Sequence, residues 1–340
     1  MDILKCGRWS LAFSIGDLFA GAGLFSEGFR QAGFLPRFAV ELDAEAVKSY
    51  RRNVGPNAVH GSVTDVLNLG TVDVLIAGPP CQGFSTLGRR DPLDARNDLC
   101  FAVLPWADGA KPKVIVIENV PPFLKSGHWQ RLARGLRRRG YKIFTWELEA
   151  ADFGTPQLRR RAFTIASKIG IISPPAPVSE RISCAHALLN EPIAENDLMH
   201  RWPTLQGVSA QRVALVPANG DKRDIQKAAP ELCPPSWQRI GCQATDVWGR
   251  IDPDEPANTL RCTFLNPSKG RYLHPTENRT ISLREGARLQ GIPDDWLIDG
   301  RPYQVARQIG NGVPIPLARA VAKQIYAALS AFETADSLAA

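Results

Sequence analysis

The sequence predicts an α/β fold built on a parallel sheet with helices on both faces. Short apolar runs at residues 72–77, broken only by Asp73, and at 114–117 each end in a proline-containing turn. A third run, residues 11–18, leads into a glycine-rich turn, and segments with helical periodicity lie between these runs. A strand that is apolar at every position has no solvent face, so helices must cover both sides, as parallel sheets require.

In chain order, residues 11–18 form the first strand. Residues 24–31 read as a helix with Gly33 as its stop. A short strand at 38–40 precedes a helix from Ala44 to about Arg52. The apolar strands at 72–77 and 114–117 follow, and residues 162–166 add another. The run RLARGLRRR, residues 131–139, carries Leu132 and Leu136 four apart. It reads as an amphipathic helix with a solvated basic face, a phosphate contact being the alternative. From Ile171 the texture changes to proline-rich and scattered polar residues with little periodicity. A second, smaller domain is placed there, up to about Pro302. Residues 317–329, LARAVAKQIYAAL, return to helix. The expected division is therefore 1–170, 171–302 and 303–340.

The 340 residues exceed what one ordinary domain of about 100–200 residues needs. A net charge of +7 favours a polyanionic partner. No apolar run approaches the roughly 18 residues of a membrane span, and the N-terminal stretch is too mixed for a secretory signal. The seven cysteines are scattered without a CxxC pair, which points to reduced thiols and a cytoplasmic protein. Cys184 and His186 sit close but lack partners at zinc spacing, so no metal is expected.

Four motifs sit where chemistry would. Asp17-Leu-Phe-Ala-Gly21-Ala-Gly23 forms a strand-to-helix turn, with Glu41 at the tip of the next strand, 20 residues after Gly21. An acidic residue at that spacing suits a ribose diol, and Ser26 in place of a third glycine disfavours a dinucleotide. A purely structural turn is the other reading. Gly78-Pro-Pro-Cys81-Gln-Gly-Phe-Ser85 follows a buried strand, at the edge where open α/β sheets bind ligands. Its rigid setting favours a reactive Cys81 over a packed one. Glu118-Asn119-Val120-Pro121 ends another buried strand; its carboxylate is a salt-bridge partner, a helix cap, or a neighbour of Cys81 in one cleft. In Gln157-Leu-Arg159-Arg160-Arg161, alternation sends Gln157, Arg159 and Arg161 to one side, into a cleft or onto a basic surface.

In this order the motifs resemble those of the DNA cytosine-5 methyltransferase family, as do Arg284-Glu-Gly-Ala-Arg288-Leu-Gln290-Gly291 and Gln308-Ile-Gly310-Asn311-Gly312-Val-Pro314. The resemblance covers about residues 14–165 and 255–325. It implies a Rossmann-like S-adenosylmethionine-dependent methyltransferase domain, completed by the C-terminal helix and interrupted by a small target-recognition domain. It implies Cys81 as nucleophile, Glu118 on the cytosine N3 edge and Arg161 on its carbonyl, with Gln157 and Arg159 organising the site. Asp17, Phe19, Gly21, Gly23, Leu24, Glu41, Leu42, Ser62, Val63, Pro80, Leu99 and Asn311 would line the S-adenosyl-L-methionine site. Ser85, Arg96 and Thr259 would meet phosphates beside a flipped nucleotide, and residues 83–97 would form the loop that closes over DNA. The implied partner is double-stranded DNA, met by a monomer in the cytoplasm, with a cognate restriction endonuclease alongside. Two positions depart from the family: Leu24 replaces a usual glycine, and Ser62 stands where an aspartate usually holds the adenine amine. Asp65 is a possible substitute after a register change.

Those residue types suit the reaction. Cytosine C5 becomes nucleophilic once a thiolate adds at C6, and sulfur both adds and leaves readily. A carboxylic acid with a raised pKa can protonate N3. C6 is inaccessible within a duplex, so the base must leave the stack. The tRNA-acting branch of the family shares the catalytic core but typically carries Cys-Phe-Thr, where this chain reads Cys262-Thr263-Phe264. A catalytically silent DNA-binding regulator would not need the full catalytic set. Base readers are expected within residues 171–258, among Arg201, Gln211, Arg212, Lys222, Arg223, Gln238 and Arg239.

Overall fold

The computed structural model describes residues 12–80, 95–240 and 246–339. Seven strands form one sheet in the order β3-β2-β1-β4-β5-β7-β6: β1 (Ser14–Leu18), β2 (Leu35–Glu41), β3 (Ala58–His60), β4 (Val74–Ala77), β5 (Val114–Asn119), β6 (Lys142–Glu149) and β7 (Arg160–Ser167). The first five run parallel. The sheet is nonetheless mixed, because β7 inserts antiparallel between β5 and β6. The strand at β6 escapes the apolar-run criterion because KIFTWELE is an edge strand that alternates buried and exposed positions.

The fully apolar strands feed two cores. Val74, Ile76, Val114 and Val116 point to one face, against Phe25 and Phe29 of α1 (Leu24–Gln31) and Leu317, Val321 and Ile325 of the C-terminal helix Ile315–Ala339. Leu75, Ala77, Ile115 and Ile117 point to the other, against α3 (Val103–Ala110) and α4 (Gly127–Arg137). Between them in sequence, α2 (Ala44–Asn53) is capped by the Asp43 side chain, which accepts from the Glu45 and Ala46 amides. The C-terminal helix closes on α1 at Gly28, where a Cβ would come within 2.3 Å of the Ala318 Cβ. The basic run is carried by α4 and its end, with Leu132 and Leu136 buried and Arg139 paired with Asp108 at 2.7 Å.

Beyond β7 there are two further cores. One joins Cys184, Leu188 and Met199 to α8 (Leu283–Leu289), α9 (Pro302–Asn311), Leu24 and Ile315. It therefore ties both ends of residues 171–302 to the sheet-bearing part. The other is small and built from Val213, Val216, Ile225, Trp237, Trp248 and Leu273 around α5 (Val208–Ala214), α6 (Lys222–Ala228) and α7 (Pro235–Ile240). With those labels the C-terminal helix is α10. The buried Arg250 staples this unit together, donating to the carbonyls of Val216 (3.0 Å), His274 (2.7 Å) and Glu277 (2.6 Å).

Candidate active site

Strand order reverses at β1, which lies between β2 and β4. Ligands of open α/β sheets bind at such a switch point, beyond the carboxyl ends of the strands. Here those ends open into one cleft of about 1340 Å³.

Its first wall is the turn after β1. Phe19, Gly21 and Gly23 all have positive φ (60°, 54° and 93°), and the turn places the Gly21 amide 2.8 Å from a Glu41 carboxylate oxygen. The second Glu41 oxygen accepts from the Asp43 amide at 2.8 Å. This acid is fixed in orientation while each oxygen keeps a lone pair for a ligand. Asp17 lies beneath, buried, accepting from the Ser26 hydroxyl at 2.7 Å; that hydroxyl in turn accepts from Tyr50 at 2.9 Å. Burial, reinforced by the negative charge of Glu41, pushes the Asp17 carboxyl up to about 8.

Asp17, Phe19, Gly21, Leu24, Glu41, Leu42, Ser62, Val63, Pro80, Leu99 and Asn311 all line this cleft, as do Arg96 and Thr259. Gly23 does not; it turns the chain into α1 behind the wall. Ser62 faces the cleft with its hydroxyl 2.7 Å from that of Thr64. Ser62 lines the cleft and Asp65 does not. Leu24 fills the space left by Gly312, where a Cβ would meet its Cδ2 at 2.4 Å.

The other end of the cleft is built by β4, β5 and β7. Glu118, at the tip of β5, pairs with Arg161 at the start of β7, Oε1 to Nε 2.9 Å. Burial pushes the Glu118 carboxyl above the ordinary carboxylate range, against the opposing pull of Arg161 and Arg159. A Cβ on Gly78 would lie 3.8 Å from Glu118 Oε2, so the strand end leading to Pro79 and Pro80 passes beside this acid. Asn119 ties the two together by donating to the Pro79 carbonyl at 3.3 Å. Cys81 and Ser85, with the rest of residues 81–94, lie outside the described residues.

Gln157 does not line the cleft, whereas Arg159, Arg160 and Arg161 all do, and Arg161 pairs with Glu118. Arg159 is buried and donates to the carbonyls of Leu260 (2.8 Å), Gly310 (2.7 Å) and Gly312 (3.2 Å). Gln157 is fully buried, donating to Leu289 and Gln290 and accepting from the Leu260 amide at 2.8 Å. A surface basic patch is thus excluded for these two. They tie the loop bearing Thr259 and the segment bearing Asn311 to the sheet. Thr259 itself donates to the Leu158 carbonyl at 2.7 Å.

Residues 13–327 match the C-5 cytosine-specific DNA methylases. The chain belongs to this family. It is accordingly an enzyme, a DNA cytosine-5 methyltransferase. Among this methylase's relatives, the type II methyltransferase M.PspPI of Psychrobacter sp. is 33% identical, covering 95% of this chain and 81% of the relative. M.XorII of Xanthomonas oryzae pv. oryzae is also 33% identical, over 92% and 84%. Of solved structures, a protein encoded within an E. coli prophage and described as a DNA modification methyltransferase superposes with a TM-score of 0.68 at 25% identity, over 94% of this chain and all of that one. Entamoeba histolytica methyltransferase EhMeth shares the fold, with a TM-score of 0.70 at 16% identity over 94% and 99%. No described helix is long and apolar enough to cross a membrane.

The far wall of the methylase cleft went unread in the sequence. It comprises Asp246, Arg261, Arg271 and Tyr272 among others. Two expected base readers are corrected. Lys222 is 1% exposed and cannot reach DNA. Arg212 lies over the rings of Trp237 (5.2 Å) and Trp248 (5.3 Å) and donates to the Leu232 carbonyl at 2.8 Å, inside the small core. Arg201 and Gln211 are exposed, and Arg223 pairs with Asp221 at 2.6 Å.

Proposed function

We propose that the enzyme transfers a methyl group from S-adenosyl-L-methionine to C5 of a cytosine flipped out of double-stranded DNA, at a specific sequence, through a covalent adduct on Cys81. The observation that carries this reading is the Glu118–Arg161 pair. It is a largely buried carboxyl with raised proton affinity, beside an arginine that can hold a carbonyl, at the strand ends from which Cys81 follows.

The residues present fit the cofactor. Glu41 is pinned with acceptor capacity to spare, suiting a ribose diol. A Cβ on Gly21 would meet nothing within 4 Å, so its backbone is open to a ligand. Phe19, Leu42, Pro80 and Leu99 supply apolar surface around it, and Ser62 an acceptor for an amine. When bound, S-adenosyl-L-methionine supplies the electrophilic methyl.

The protein's own groups do the rest. The Cys81 thiolate forms a bond to C6, and the displaced electron pair makes C5 an enamine carbon. Glu118 delivers its proton to N3 as charge develops there, and Arg161 orients the base through its carbonyl. Loss of the C5 proton then expels the Cys81 thiolate. Duplex DNA must release the base, because C6 is shielded in the stack.

The type II designation of the relatives supports a cognate restriction endonuclease as companion. One chain carries the residues for both cofactor and base, which supports action as a monomer. Residues 171–302, and above all the small Trp237–Trp248 core within them, would carry target recognition. The test uses duplex DNA with 5-fluorocytosine at the target, where fluorine cannot leave as a proton does. The wild type should form a covalent adduct and Cys81→Ala none; an adduct with the variant would remove Cys81 from the mechanism. Methyl transfer to tRNA in preference to duplex DNA would overturn the substrate.

A further inference from the structure

The same cleft is lined by an ion pair that the chemistry above does not use. Arg261 and Asp246 approach at 3.1 Å, and both line the cleft with about a third of each side chain exposed (32% and 36%). The pair is held before any ligand arrives. The Arg261 amide donates to the Tyr272 hydroxyl at 3.2 Å, and that hydroxyl donates to the Thr259 carbonyl at 3.3 Å. The Arg261 guanidinium also donates to the Lys269 carbonyl at 2.7 Å, leaving further N–H groups for a ligand. Nearby Arg271 differs, being spent on the carbonyls of Asn219, Gly220 and Arg250.

Two DNA groups attract an arginine at such a mouth, a phosphate or a base edge. The carboxylate decides between them. Asp246 cancels much of the charge a phosphate would seek and repels the phosphate itself. A base pair, by contrast, offers acceptors and donors together. In the major groove guanine presents N7 and O6 as acceptors, and its partner cytosine presents an amino donor. A fixed guanidinium beside a fixed carboxylate matches that pattern, and its preorganisation lowers the ordering cost of binding.

We propose that the Arg261–Asp246 pair reads a G·C base pair beside the target cytosine, the guanidinium donating to the guanine edge and the carboxylate accepting from the cytosine amino group. This rests on the reading of the chain as a sequence-specific DNA methyltransferase.

The test is methylation of a duplex library randomised around cytosine, by the wild type and by Arg261→Ala and Asp246→Asn. The wild-type site should contain a G·C pair next to the target. Both variants should relax that one position by roughly 5- to 150-fold, the range of one bidentate base contact, with the other positions unchanged. Arg261→Lys keeps the charge but lacks the fork, so it should weaken preference at the same position even if the alanine variant folds poorly. Equal loss across all sequences with a shallower salt dependence would mean a phosphate contact and overturn the proposal. So would an unchanged site. Absence of any methylation by the wild type would sink the functional reading and the pair with it, whereas methylation with unaltered preference sinks the pair alone.

Discussion

Arg161 Nε lies 2.9 Å from Glu118 Oε1, yet burial outweighs the arginine in setting the proton affinity of that carboxyl. Pairing alone would hold Glu118 ionised and useless as an acid. Desolvation alone would leave a base without an orienting partner. The combination gives an acid that keeps its proton further up the pH scale beside a fixed guanidinium, as the proposed mechanism needs.

Glu118→Gln should lower the rate of methyl transfer by orders of magnitude, because an amide can still hydrogen-bond but has no proton to give. The wild-type rate should fall as pH rises through the elevated Glu118 pKa, since only the protonated form acts. Single-turnover rates across pH, for wild type and variant, check this. Near-normal turnover in the variant removes Glu118 from the mechanism.

Arg159 and Arg161 sit two residues apart, and their losses should differ in kind. Arg159→Ala leaves the carbonyls of Leu260, Gly310 and Gly312 without their donor. It should destabilise the fold by about 3 kcal/mol or more and loosen the segment that bears Asn311. Arg161→Ala should leave the melting temperature close to wild type while activity collapses. Calorimetric melting set beside turnover separates them; equal destabilisation would mean that Arg161 is structural as well.

Asp17 should make the protein less stable as pH rises. Its carboxyl goes from an ordinary 3.8 to about 8 on folding, so between those values the unfolded chain has released a proton that the folded chain retains. Stability is lost across that window, by at most about 1.4 kcal/mol per pH unit, and levels off above it. Asp17→Asn is neutral and can still accept from Ser26. Its stability advantage should therefore grow from pH 4 to 8 and then stop growing. A constant difference in denaturant midpoints across pH would show that Asp17 does not hold its proton.

The position of Glu118, the proposed catalytic acid, was legible in the sequence, and much of its support was not. Glu118 follows the unbroken apolar run 114–117, so its place at the sheet's carboxyl edge follows from local pattern. Alternation was a poorer guide to the next motif, because Gln157 is buried away from the cleft while Arg159, Arg160 and Arg161 all line it. What Arg159 holds could not be read, because its carbonyl partners lie 101 to 153 residues away and backbone acceptors leave no trace in side-chain identity. Arg261 and Asp246 escaped for a related reason, since 15 residues of irregular chain separate them in sequence. Lys222 was misread because a fully buried lysine is rare enough that exposure is the natural assumption.

Ser62 offers a test of cofactor recognition. It lines the cleft, and its hydroxyl is already engaged with Thr64 at 2.7 Å. An adenine amine meeting a neutral, shared hydroxyl makes a weaker bond than one meeting a carboxylate. Ser62→Asp should therefore tighten S-adenosyl-L-methionine by about 1 kcal/mol, read by isothermal titration. Weaker binding in the variant would show that another group already holds the amine.

Arg212 and Arg261 both lie within residues 171–302, and their substitution should have opposite signatures. The Arg212 guanidinium sits over two indoles and donates to a carbonyl of the same small core. Removing it costs a partly desolvated cation–π contact and a charged hydrogen bond, together about 2–4 kcal/mol. Arg212→Ala should thus lower the denaturant midpoint while the enzyme that remains folded keeps the wild-type target site. The two measurements are chemical unfolding and methylation of a randomised duplex library at a temperature where the variant is folded. A relaxed site with undiminished stability would return Arg212 to the base readers. It would also mean that the indole cluster opens when DNA binds.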